Sequence, residues 1–310
     1  SVILGWELNI TIILIGSMVI VYTSIGGTNA VNKTHVLQMV IITVGMFASF
    51  FMIYFLLPKD ISVVDAASIA GKFGKLNAID FSFNLNDRYT FWSGIIGGTF
   101  LMLSYFGTDQ SQVARYLAAK NITQSRMGLL VNGLVKIPMQ FIILFIGAMV
   151  FVFFQFVTPP LFFNPVETDK IKSSIYAGEY SKLENEFKLL QDQKRIKLRE
   201  MLDESSQPKA DPPLAESLSE SKDANNELNK ISSREQELKT SAKEIIKKNN
   251  SDADINDTNY IFITYIVNYL PIGLIGLLLA AILAASMSST SAELNSLAST
   301  SLIDIYKRMI

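Results

Sequence analysis

The run Ala284-Ala285-Ser286-Met287-Ser288-Ser289-Thr290-Ser291 concentrates hydroxyl groups inside a strongly apolar stretch. Ala285, Ser288 and Ser289 are three and four residues apart, so a helix brings them to one face. A backbone carbonyl beside two hydroxyls is an environment of hard, neutral oxygens. That suits a monovalent cation such as Na+ better than Ca2+ or Mg2+, which recruit carboxylates. The same residues also describe a small-residue packing face whose hydroxyls bond back to the preceding turn. Glu293 follows four residues after Ser289, and a carboxylate buried there needs a partner, a cation or a proton.

Three further places put polar groups where the apolar pattern disfavours them. His35, the only histidine, opens an apolar run within Thr34-His35-Val36-Leu37-Gln38; it is either a boundary residue or an ionisable functional group. Tyr105 and Phe106 end another run ahead of Gly107-Thr108-Asp109-Gln110. They read as an aromatic belt before a helix-starting Asp, or as part of a site. Lys136 lies well inside a fourth run, where it either snorkels to the interface or faces a partner or a wet cavity.

These residues must be positioned by membrane-spanning helices. Apolar residues make up 49% of the 310, mean hydropathy is +0.30, and only 18% are charged. The segment from Leu161 to Thr258 holds 36 of the 55 charged residues, leaving the rest too poor in charge to coat a water-soluble domain. A net charge of −1 excludes a basic nucleic-acid binder, and the absence of Cys excludes disulfides and thiolate chemistry. Five apolar stretches suit crossings of the bilayer: Asn9 to Ile25, Val36 to Leu57, Phe91 to Phe106, Met127 to Phe156 and Tyr260 to Leu302. Lys33, then Arg115, Lys120 and Arg126, then Lys307 and Arg308 follow the first, third and fifth of them, which makes that face cytoplasmic.

The fold class expected is therefore an all-α membrane protein of about five transmembrane helices. Residues 1–160 form a four-helix transmembrane core, 161–258 a polar extracytoplasmic insert and 259–310 the last core helix. In the insert, Tyr176, Tyr180, Leu183, Phe187 and Leu190 recur at helical steps, as do Leu228, Ile231, Leu238 and Ile245 beyond a Pro-containing break at Ser205 to Pro213. This predicts an antiparallel helical hairpin standing off the membrane, or a partly disordered linker. It contains no catalytic constellation, and a protein partner for it is an open expectation. The chain, starting Ser-Val-Ile, reads as an internal piece of a longer protein.

Three segments carry a resemblance. Val21-Tyr22-Thr23-Ser24-Ile25-Gly26-Gly27 with Ala30-Val31 and Thr34-His35-Val36-Leu37-Gln38, Gly107-Thr108-Asp109-Gln110 with Gln112 to Lys120, and Ser288-Ser289 with Asn295-Ser296 and Asp304-Ile305-Tyr306-Lys307 together resemble the sodium:solute symporter family. The resemblance covers all five spans and not the insert. It implies a LeuT-type inverted-repeat transporter working by alternating access, of which this chain would be core helices four to eight. Carried over, Ala285, Ser288 and Ser289 become the sodium ligands of the eighth helix, with the others from a broken first helix upstream of Ser1. Tyr105 becomes the inner aromatic gate, with Phe106 beside it. Lys136 takes a position that faces the sugar in sugar-carrying members, while Met102 stands where those members have a polar amide.

His35 departs from the family, which usually has Asp there. Ser291 matches a hydroxyl of a second ion site in some members, but Ala292 follows it, and Glu293 stands at a position usually apolar. A second ion or proton site built from His35, Ser291 and Glu293, with His35 and Glu293 paired, is the expectation drawn from these departures. The function implied is secondary active transport in a multi-pass protein of the plasma (inner) membrane, with Na+ as coupling ion, no other cofactor, a small organic solute and the lipid bilayer as partners, and no enzymatic activity. Proton coupling, or a symporter-like sensor module of a signalling protein, are the alternatives.

Overall fold

Gly27 bends the first helix of the chain. In the computed structural model, which describes residues 8–77, 80–84, 90–117, 119–206 and 214–310, helix α1 (Leu8–Leu56) runs through this point, with Gly27 at φ 51°, ψ −155°. A side chain would make that backbone costly, and glycine adopts it freely. The bend divides α1 into two arms of spanning length, Asn9–Gly27 and Asn32–Leu56. Pro58 ends the second arm, because the residue before a proline is pushed out of helical geometry.

Side-chain caps start the next helices of the bundle. Ser62 and Asp65 form a reciprocal capping box for α2 (Val63–Lys72), and Thr90 with Ser93 does the same for α3 (Phe91–Gly107). After the short α4 (Gln110–Leu117), Asn121 caps α5 (Ile122–Phe156) by accepting from the Gln124 amide. The polar insert supplies α6 (Pro165–Lys172), α7 (Ala177–Ser206) and α8 (Leu214–Asn249). The chain then re-enters apolar sequence as α9 (Thr258–Tyr269) and α10 (Ile272–Thr300), extended by a π-helical turn, Ser301–Tyr306, and the short α11 (Lys307–Met309). The described residues contain no strand.

Of the five spans expected, four are, among the described residues, helical stretches long and apolar enough to cross: the two arms of α1, α5, and Ile272–Met309. Helix α3 has 17 residues, about 25 Å, which is at the lower limit for a crossing. The run from Tyr260 to Leu302 is not one helix. Pro271 lacks the N–H to continue the ladder and holds Leu270 extended at φ −92°, ψ 154°, so α9 and α10 part there.

Helix α10 lies against α1 more extensively than any other pair of helices makes contact. Gly45 permits this closeness: a Cβ there would run into the Leu278 side chain. Towards the end of the bundle bearing the insert, Tyr265 donates to the Ser49 carbonyl at 3.2 Å, and its ring meets Phe153 at 5.4 Å. The faces of α1, α3 and α5 that carry Val21, Phe100 and Leu134 are exposed apolar surface, as helices in a bilayer require.

Helices α7 and α8 form the hairpin that periodicity predicts. Tyr180, Phe187, Leu238 and Ile245 are buried between them; residues 207–213, most of the Pro-containing break, lie outside the described residues. The hairpin does not stand free. Its apolar stripe extends to Leu198, Met201 and Leu228, which need cover and find it on Ile69 and Phe73 at α2. Arg195 adds a 2.7 Å bond to the Thr158 hydroxyl, and Arg199 approaches Asp60 at 3.5 Å.

Within the hairpin, Lys194 and Lys239 each reach Glu235 at 2.7 Å, and Lys194 is 4% exposed. Burial alone would raise the Glu235 carboxyl, but the two ammonium groups outweigh it and hold it at about 2, against an ordinary 4.5. A depressed carboxyl stabilises the fold above its ordinary value and loses that contribution as pH falls through the depressed one. The hairpin is therefore expected to lose amide protection between pH 4.5 and about 2. Glu235→Gln, which leaves the Lys194 charge buried, should lower protection at neutral pH by on the order of 3 kcal/mol. Hydrogen exchange on the detergent-solubilised protein measures both; equal protection in wild type and variant would contradict this role.

Candidate ion and solute site

The two arms of α1 reach the same face of α10. From the first arm, the Tyr22 hydroxyl donates to the Met287 carbonyl at 2.9 Å, and the Thr23 and Ser291 hydroxyls share a bond of 2.6 Å. From the second, the Gln38 amide donates to the Ala284 carbonyl at 2.8 Å. These contacts bracket the residues singled out by spacing. Ser288 is buried at 3% exposure and Ser291 at 0%.

Ser288 differs from its neighbours. Its hydroxyl is buried and has no hydrogen-bond partner among the described residues, although a serine in a helix can ordinarily bond back to the preceding turn. Ser289 does so, donating to the Ala285 carbonyl at 3.3 Å, and Thr290 does so to Ser286 at 3.0 Å. Ser289 is exposed and Ala285 half-buried. Ser288 is thus covered by the α1–α10 contact, while Ala285 and Ser289 stand at its edge. No group of three His, Cys, Asp or Glu side chains gathers as a metal site among the described residues. At Ala285, Ser288 and Ser289, α10 presents neutral oxygens.

The remaining candidates divide. His35 is half-buried on the second arm of α1, one turn before Gln38, while Glu293 is exposed on α10. Among the described residues no ion pair joins them. Ser291 is bonded to Thr23, not to either of them.

Tyr105 and Lys136 do come together: the Lys136 Nζ lies 5.3 Å from the centre of the Tyr105 ring, within cation–π range. Lys136 makes no ion pair among the described residues. Tyr105 and Phe106 line a cavity of about 480 Å3 with Asn32, Gln112, Tyr116 and Asn132. Tyr116 closes one wall by donating to the Phe106 carbonyl. Asp109 caps α4 through bonds from the Ser111 amide and hydroxyl at 2.9 and 2.7 Å. The side chains of Ala30, Val31 and Arg115, and residue 118, lie outside the described residues.

The spacing argument missed the roles of Tyr22, Thr23 and Gln38. The signal for them was present, since each is a hydrogen-bonding side chain in an apolar helix and such groups seek partners across helix interfaces.

The site thus combines apolar helices of spanning length, a broken first helix, hydroxyls at the α1–α10 contact and a cavity beside an aromatic pair. The sodium:solute symporter family matches residues 1–179 and 243–310, and the chain belongs to it. The unmatched residues, 180–242, are the greater part of the α7–α8 hairpin. Among curated proteins, the chain is 31% identical to the sodium/iodide cotransporter of Homo sapiens over 132 residues, 41% of this chain and 19% of that one. It is 36% identical to sodium-coupled monocarboxylate transporter 1 of Homo sapiens over 128 residues, 41% and 20% respectively. The sodium-dependent multivitamin transporter of Oryctolagus cuniculus is 29% identical over 125 residues, 37% of this chain and 18% of that one. The chain spans about a fifth of the length of these relatives. No solved structure matches.

The orphaned hydroxyl carries an expectation of its own. A buried polar atom without a partner costs stability. In sodium-free choline buffer Ser288→Ala should melt at or above wild type, by up to about 1 kcal/mol. A clear loss of stability in that buffer would mean that Ser288 has a structural partner.

Proposed function

We propose that the protein couples inward Na+ movement to uptake of a small solute by alternating access. The observation that carries this reading is the buried, unpartnered Ser288 hydroxyl beside the Ala285 carbonyl and the Ser289 hydroxyl. A hydroxyl kept dry without a partner is explained by a ligand that completes it, and neutral oxygens suit a monovalent cation. On binding, the Ser289 proton turns away from the Ala285 carbonyl so that both oxygens face the ion. The ion then favours the conformation in which these oxygens converge, and it drives the cycle only by its difference in affinity between states. The end carrying Lys33, Arg126 and Lys307 faces the cytoplasm, which sets the insert outside the plasma membrane.

The solute in this reading is a small anion. Lys136 brings an uncompensated positive charge to Tyr105, and an intramembrane cation calls for a counter-charge. The relatives named for iodide and monocarboxylate fit that class. Tyr105 and Phe106 gate the solute towards the polar cavity, and Met102, apolar where a sugar carrier has an amide, disfavours sugars.

Uptake of radiolabelled iodide and of short monocarboxylates into proteoliposomes tests the reading. It is expected to follow an imposed Na+ gradient, to ignore a pH gradient alone, and to need about tenfold more Na+ in Ser288→Ala/Ser289→Ala. Uptake driven by protons and indifferent to those serines would contradict it and would move the coupling to His35 and Glu293. Lys136→Met should abolish anion uptake while leaving Na+ binding intact.

A further inference from the structure

The signature residues Tyr22, Thr23 and Gln38 have no part in the sodium ligation proposed above, yet all three touch α10 beside it. Ala284, Met287 and Ser291, the residues they grip, are three and four apart and so lie on one face of α10. Ala285 and Ser288 each follow a gripped residue directly. Gln38 and Tyr22 donate to main-chain carbonyls that already belong to the helix ladder. Such bonds hold the helix itself, whatever side chains it carries at those points.

Three ties on one face fix the rotation of α10 about its axis. Without them, a rotation of about 20° would carry an oxygen roughly 4 Å off the axis sideways by more than 1 Å, given a Cα radius near 2.3 Å. Bound ligands need their groups placed within about 0.5 Å. The ties also lie on both sides of the Gly27 bend, two before it and one after. The two arms of α1 therefore grip α10 as a pair, and loss of either grip frees one end of the gripped face.

We infer that Tyr22, Thr23 and Gln38 are positioning residues that set the sodium affinity of α10 by holding Ala285 and Ser288 in register. This rests on the sodium-site reading of the preceding section. The residues touch the helix and not the ion, so their effect appears in the affinity and not in the number of sites.

Equilibrium binding of radiolabelled Na+ to the purified protein in detergent, with choline as balancing cation, tests this without knowledge of the solute. Tyr22→Phe, Thr23→Val and Gln38→Ala are each expected to weaken Na+ binding about fivefold at unchanged site number. Thr23→Ser, which keeps the hydroxyl, should bind as wild type. Fewer sites at unchanged affinity would assign the three residues to folding alone and overturn the inference. Wild-type binding that depends on Ser288 but is indifferent to all three variants would overturn the inference and leave the sodium site standing. Wild type that binds no Na+ would remove the site and the inference together.

Discussion

The bend at Gly27 is the constraint on which the rest of the arrangement depends. One straight helix of this length could lay only one stretch of itself along α10. Bent, α1 sends Tyr22 and Thr23 from one arm and Gln38 from the other to a single face of α10. That embrace buries Ser288 and Ser291 without using carboxylates. The Gly45–Leu278 contact nearer the other end of α10 allows the same two helices to stay close along their length. Burial of polar oxygens in lipid is costly unless something is bound or bonded there. Ser291 is bonded to Thr23, whereas the Ser288 hydroxyl has no partner among the described residues.

Charge is sorted along the molecule. The α1–α10 contact and the cavity beside Tyr105 gather neutral oxygens and amides, with Lys136 exposed on α5 beside the Tyr105 ring. The insert carries ion pairs, some internal, such as Lys194–Glu235, and some to the bundle, such as Arg199–Asp60. The part of the hairpin unmatched by the family, 180–242, includes the residues that rest on α2. The extension is thus joined to the bundle by packing as well as by sequence.

Much of this was legible in the sequence, for reasons that can be stated. Helical periodicity in Tyr180, Phe187, Leu238 and Ile245 revealed the hairpin because those residues do face each other. It could not reveal that Leu198, Met201 and Leu228 belong to a second surface, since a stripe on a helix does not say what covers it. Hydropathy read Tyr260 to Leu302 as one run, longer than a single crossing, because it averages over Pro271, whose effect is a single missing hydrogen bond. It found α3 and its shortness, since the apolar run from Phe91 to Phe106 is itself short for a crossing. The hydroxyl run on α10 was readable from residue type and spacing, and so was its suitability for a monovalent cation. Which of those hydroxyls is left unpartnered depends on α1, more than 240 residues away in the chain, and no local pattern carries that.

The central claim is that the Ala285, Ser288 and Ser289 oxygens hold a monovalent cation. Its most direct test is diffraction from crystals of the protein in which thallium(I) replaces Na+, since the anomalous signal locates the ion without reference to transport. The account expects a peak in direct contact with those three oxygens, and its loss in Ser288→Ala crystals. A peak elsewhere, for example beside His35 or Glu293, with none on α10 at Ser288, would contradict it.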